Sequence, residues 1–140
     1  MVAKNLILCV EDEPTVLRAC SYAVARAGFR VEAAENGAAG LEAFLQLRDQ
    51  VCLIVSDIVM PVMNGTDMVE RILRIEPETK VLLMSAYSDA VTGRLVGRCR
   101  LPFIRKPFNR TTLIEKIHSI VATQGAASRL SGVGVRVSSM

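Results

Sequence analysis

The sequence predicts an α/β domain of the doubly wound kind, a parallel sheet with helices over both faces, and three observations carry that prediction. Short apolar runs alternate with amphipathic stretches, giving five strand–helix units in roughly 120 of the 140 residues. The runs are apolar throughout instead of alternating with polar residues, which is the pattern of strands buried on both faces. Glycine, proline or Asn-Gly punctuates most of the junctions.

The first run, LILCV (Leu6 to Val10), is a strand. Pro14 suits the first turn of a helix reaching to about Ala27, in which Leu17, Cys20, Val24 and Ala27 recur at helical spacing, and Gly28 stops it. Phe29 to Ala33 reads as the second strand and Ala38 to about Leu47 as the second helix. Val51 to Ser56 is the third strand, Asn64-Gly65 a turn, and Thr66 to Arg74 a short helix. Pro77 breaks the chain before the fourth strand, Val81 to Met84, and Phe103 to Arg105 is the fifth. Leu113, Ile114, Ile117, Ile120 and Val121 mark one face of a last helix from about Asn109 to Ala122.

A chain of 140 residues suits one domain with a single core of useful size. No apolar run approaches the ~20 residues of a membrane helix, and the start, MVAKN, lacks the three regions of a signal peptide. A soluble, cytoplasmic chain without membrane contact is expected. The net charge is +3, and two of the arginines, Arg129 and Arg136, lie in an acid-free tail, leaving 15 basic against 14 acidic residues elsewhere. No nucleic-acid surface is implied. Cys9, Cys20, Cys52 and Cys99 have no CxxC spacing and read as reduced core residues. The one histidine, His118, sits between Ile114, Ile117 and Val121 on the helical pattern, faces water, and is assigned no chemistry.

VSDIVMPVMNG, Val55 to Gly65, poses the functional question, because an apolar strand ends on an aspartate. A buried ionised carboxylate is costly unless it is paired or binds a metal. In doubly wound sheets the ligand site lies outside the carboxyl ends of the strands, and there this chain places a consistent polar set. Strand one ends in Glu11 and Asp12, strand three in Asp57, strand four in Ser85, and strand five in Lys106-Pro107. Converging carboxylates repel one another unless a cation sits among them. Magnesium suits one or two carboxylates, a carbonyl and retained waters, and it leaves a position for a phosphate oxygen. Lys106 supplies an ammonium and Ser85 a hydroxyl, so the set is suited to a phosphoryl group on or near Asp57. An aspartate carboxylate can itself be the nucleophile, and phosphoryl transfer needs mainly positioning and charge neutralisation.

On these residues the chain resembles a response-regulator receiver domain, the phospho-accepting module of two-component signalling, over roughly Asn5 to Ala122. The resemblance rests on LCVEDEP for the acidic pair, SDIVMPVMNG for the acceptor aspartate and its DxxMPxxxG loop, LLMSA for the hydroxyl and FIRKPF for the lysine. It implies the flavodoxin-like strand order 2-1-3-4-5 and phosphorylation of Asp57 by a phosphohistidine on a histidine kinase or histidine phosphotransfer domain. It implies Mg2+ held by Asp12, Asp57 and the carbonyl of Val59, with Glu11 acting mainly through water. Lys106 would bind a phosphoryl oxygen, and a cis Lys106-Pro107 bond is implied. The switch it implies draws the Ser85 hydroxyl inward while Phe103 rotates, changing the face formed by the fourth helix, fifth strand and fifth helix.

The chain departs from the family pattern in two places. The acidic pair is Glu11-Asp12 where two aspartates are commoner. Between Ala86 and Phe103 the sequence YSDAVTGRLVGRCRLP places Gly93 and Gly97 inside the expected fourth helix; at roughly 1 kcal/mol of propensity each, they predict a short or mobile helix. Val59 and Tyr87, two residues past Asp57 and Ser85, are bulky and offer nothing to orient water, which predicts a long-lived phosphorylated state. A magnesium-dependent phosphohydrolase would need a second acid two residues past the nucleophile, where this chain has Val59. A flavin or nucleotide binder on this fold would need a phosphate loop after strand one, where VEDEP is acidic. A receiver that works without phosphorylation would not need the complete set of site groups. The expected partition is a receiver over 1–124 and a Gly/Ser-rich tail or linker over 125–140 without an output domain, either from a stand-alone regulator or from a longer protein such as a hybrid histidine kinase.

Overall fold

The computed structural model describes residues 4–96 and 101–132. Strand β1 is Leu6–Val10, helix α1 Pro14–Arg26, β2 Arg30–Ala34, α2 Gly37–Leu47, β3 Val51–Asp57, α3 Gly65–Ile75, β4 Val81–Ser85, α4 Asp89–Val96, β5 Phe103–Arg105 and α5 Arg110–Gly132. All pairings are parallel, in the order β2-β1-β3-β4-β5. The fold class and strand order therefore match the expectation.

Strand residues alternate between two cores because successive side chains point to opposite faces. Leu6, Leu8, Val10, Ile54, Val81 and Leu83 pack with Phe44 of α2 and Met68, Val69 and Ile72 of α3. Ile7, Cys9, Leu53, Val55, Leu82 and Met84 pack on the other face with Cys20, Ala23 and Val24 of α1 and Leu113 and Ile117 of α5. Cys9, Cys20 and Cys52 are buried free thiols, as expected; Cys99 lies outside the described residues. His118 is exposed, with its ring 6.0 Å from that of Phe29.

Local chemistry sets the element ends. The Glu13 carboxylate accepts from the Thr15 N–H and Pro14 occupies the first turn of α1. The Asn36 side chain caps α2 by accepting from the Ala39 N–H at 2.8 Å. Gly28 follows α1 with φ +103°, a conformation that favours glycine.

Two details, at β2 and at α5, differ from the sequence reading. β2 is an edge strand with Glu32 and Ala33 exposed, so it is not apolar throughout. α4 is described over Asp89–Val96, with Gly93 inside it, and Gly97 lies outside the described residues, as does whatever bears on the expected length of that helix. α5 continues past Ala122 to Gly132, because ATQGAASRL carries no proline and several good helix formers. The first eight residues of the expected tail are thus helical, and the last eight, including VGVRV, lie outside the described residues.

Candidate functional site

The carboxyl ends of β1, β3 and β5 bring three of the polar groups, Glu11, Asp57 and Lys106, into direct contact, and β4 places Ser85 beside them. Asp57 closes β3 and is 9 % exposed. Its Oδ1 accepts from the Ile58 N–H at 2.9 Å, and its Oδ2 lies 3.2 Å from the Lys106 Nζ. The turn beneath it is held by the Gly65 N–H donating to the Ile58 carbonyl at 2.7 Å. A Cβ on Gly65 would overlap the Asp57 carbonyl oxygen, so only glycine fits there. Within the same loop Val62 has φ +72°, unusual for a β-branched residue.

Glu11 is the most deeply placed acid of the site, at 1 % exposure. Its Oε1 accepts from the Lys106 Nζ at 2.8 Å and its Oε2 from the Glu13 N–H at 3.0 Å. Burial raises the Glu11 carboxyl above its ordinary range; the hydrogen bonds from Lys106 and from Glu13 oppose the rise, and the Asp57 charge adds to it. Burial pulls the Lys106 ammonium down, but the Glu11 hydrogen bond and the charges of Asp57 and Glu11 outweigh it and leave the lysine raised. Asp12 is exposed at the rim.

Glu11, Asp12 and Asp57 each offer a carboxylate oxygen, and these atoms lie within 4.8 Å of one another. Three carboxylates beside one ammonium leave a charge of −2, which a divalent cation would neutralise. Oxygen donors at this spacing fit a hard cation such as Mg2+. Val59 sits exposed in the loop two residues beyond Asp57.

Ser85 closes β4, buried and one register step beyond the Asp57↔Met84 pair. Its hydroxyl oxygen accepts from the Tyr87 N–H at 3.0 Å and lies 2.6 Å from the Thr92 hydroxyl on α4. Phe103 stands opposite Leu83 on the same sheet face as Ser85 and is partly buried against that core. The Lys106-Pro107 bond is cis.

Each sequence-predicted residue thus lies at the carboxyl edge of the sheet or on the strand beside it. Two contacts were beyond sequence reasoning. Glu11, for which a water-mediated role was implied, pairs directly with Lys106, 95 residues away. Thr92 was not singled out, and the one available signal was a polar residue in the fourth helix seven positions after Ser85.

A doubly wound parallel sheet in the order β2-β1-β3-β4-β5 is the flavodoxin-like fold, and here it carries an acidic triad and a lysine at its carboxyl edge. The profile of the response regulator receiver domain matches residues 7–118. The chain belongs to that family, whose members are signalling domains of two-component systems and bind Mg2+ at an acidic pocket. It is 30% identical over 119 residues to the sensor kinase CckA of Brucella abortus, covering 84% of this chain and 13% of that protein. It is 37% identical over 110 residues to the regulatory protein AtoC of Escherichia coli, covering 78% of this chain and 23% of that one. The chain therefore spans less than a quarter of either relative. CheY of Borrelia burgdorferi, solved in complex with CheX, BeF3 and Mg2+, superposes with a TM-score of 0.77 at 20% identity, over 82% of this chain and 87% of that one. Among the described residues no helix is long and apolar enough to cross a membrane.

Proposed function

We propose that Asp57 is the phosphoryl acceptor of a cytoplasmic phosphorelay switch, loaded from a phosphohistidine on a histidine kinase or histidine phosphotransfer domain. The observation that carries this reading is the Lys106 ammonium bridging Glu11 and Asp57 at 2.8 and 3.2 Å, at the end of β3 where the Asp57 carboxylate is nearly but not fully buried. An Asp57 carboxylate oxygen forms the new O–P bond as the N–P bond of the phosphohistidine breaks and its electron pair returns to the imidazole ring. Lys106 then moves from the carboxylates to a phosphoryl oxygen, and Ser85 donates its hydroxyl to another. The Ile58 N–H holds Asp57 Oδ1 in place while Oδ2 faces the lysine.

Asp12, Asp57 and the Val59 carbonyl are the groups that would hold Mg2+, with Glu11 behind them. Mg2+ supplies neutralisation of the phosphoryl charge during transfer. Output then runs through Ser85 and Phe103 to α4, β5 and α5. Residues 1–124 form the receiver and 125–140 a tail or linker. The likeness to a sensor kinase of which this chain spans 13% favours a hybrid histidine kinase as the parent.

Incubation with Mg2+ and acetyl phosphate should give a phosphoryl mass adduct that Asp57→Asn abolishes. No adduct, together with no binding of fluoroberyllate, would overturn the reading.

A further inference from the structure

We infer that Thr92 is a positioning residue that holds the Ser85 hydroxyl away from the Asp57 site, so that α4 is tied to the unloaded arrangement. This rests on Asp57 being the acceptor. The three polar contacts close into a ring. The Tyr87 N–H donates to Ser85 Oγ at 3.0 Å, Ser85 Oγ and Thr92 Oγ1 are 2.6 Å apart, and the Thr92 hydroxyl reaches the Tyr87 carbonyl at 3.4 Å.

Each hydroxyl has one proton to give. Either hydroxyl can donate across the 2.6 Å contact, and the arrangement in which Ser85 donates to Thr92 leaves the Thr92 proton for the Tyr87 carbonyl. The Ser85 proton is then spent on α4 and cannot also reach a phosphoryl oxygen. Both hydroxyls are buried, at 1 % and 0 % exposure, so water cannot replace either partner. Turning Ser85 toward Asp57 therefore strips Thr92 of a buried partner. Thr92 also sits in the first turn of α4, where its N–H donates to the Ser88 carbonyl at 2.8 Å. Loss of the side-chain contact is thus felt where the helix begins.

The test is fluoroberyllate binding with saturating Mg2+ by the wild type, Thr92→Val, Thr92→Ser and Ser85→Ala, with Thr92→Ala replacing Thr92→Val should that variant not fold. Valine keeps the shape of threonine and removes the competing hydroxyl. Affinity should rise on the order of fivefold to tenfold, the size of one net hydrogen bond. Thr92→Ser should restore wild-type affinity, and Thr92→Val in the Ser85→Ala background should change nothing. Equal or weaker binding by Thr92→Val, or an undiminished effect without Ser85, would overturn the role of Thr92 and leave the acceptor reading intact. Failure of the wild type to bind would overturn the acceptor reading, and the role of Thr92 with it.

Discussion

Lys106→Met keeps the aliphatic stem and deletes the ammonium lying 2.8 Å from Glu11 Oε1 and 3.2 Å from Asp57 Oδ2. Glu11 is 1 % exposed, so water cannot take over its charge. Removing one partner of such a pair typically costs about 3–5 kcal/mol. Protonation sets a ceiling, because each pH unit separating the solution from the carboxyl's pKa is worth about 1.4 kcal/mol. From an ordinary glutamate pKa of about 4.3, neutralising Glu11 at about pH 7.5 costs about 4 kcal/mol. The folded protein needs less, since burial already raises this carboxyl. The expected loss in magnesium-free buffer is about 2–3 kcal/mol near pH 7.5 and under about 1.5 kcal/mol near pH 5.5, read from urea unfolding at constant m-value. The sign follows from linkage. A carboxyl raised in the folded state stabilises below its unfolded pKa and loses that contribution as pH rises through the folded value. Removing the lysine raises Glu11 further, so the deficit grows with pH. Lys106 itself is raised above the ordinary lysine range and stays charged throughout that window. Adding Glu11→Gln should recover at least half of the loss. A deficit that does not change with pH, or no recovery in the double variant, would refute the argument.

Four further outcomes follow from individual positions. Gly65→Ala drives a Cβ into the Asp57 carbonyl and should destabilise by about 3 kcal/mol or more in the same unfolding assay. Gly93 is exposed in α4 and a Cβ there meets nothing within 4 Å, so Gly93→Ala should stabilise by about 1 kcal/mol and slow amide exchange across the helix. Val62 is 81 % exposed at φ +72°, so Val62→Asn should gain about 1 kcal/mol, because the left-handed backbone penalises a β-branched side chain while burial loses little. Val59→Asn should speed loss of the phosphoryl group about tenfold, or about 1.4 kcal/mol of barrier, measured by decay of the labelled protein.

The fold was legible because the buried strands are apolar on both faces, so a polar residue at a strand end stands out against its run. That contrast located Glu11, Asp57, Ser85 and Lys106 without knowledge of the strand order. The apolar signal was weakest at β2, whose edge position leaves Glu32 exposed, and there the strand was read one residue early at each end. Apolar periodicity likewise ended the last helix too early, since residues beyond Ala122 can stay helical through propensity alone. The Glu11–Lys106 pair and the Ser85–Thr92 contact could not be read because they depend on which way a side chain turns, and residue spacing does not encode that.

Both contacts bear on how the switch can work. In the unloaded protein the groups that would receive a phosphoryl group are already satisfied, Lys106 by Glu11 and Asp57 and Ser85 by Thr92 and Tyr87. A phosphoryl group brings about 1.5 to 2 negative charges, enough to compete for the lysine, whose carboxylate partners a divalent cation would neutralise. It must also outcompete Thr92 for the serine hydroxyl. A ligand shifts a two-state equilibrium only by its difference in affinity for the two states, so the strength of these resting contacts subtracts directly from that difference. Gly93 inside α4 offsets part of this resistance, because a helix-interior glycine weakens the helix by about 1 kcal/mol relative to alanine and so lowers the bias needed to rearrange it.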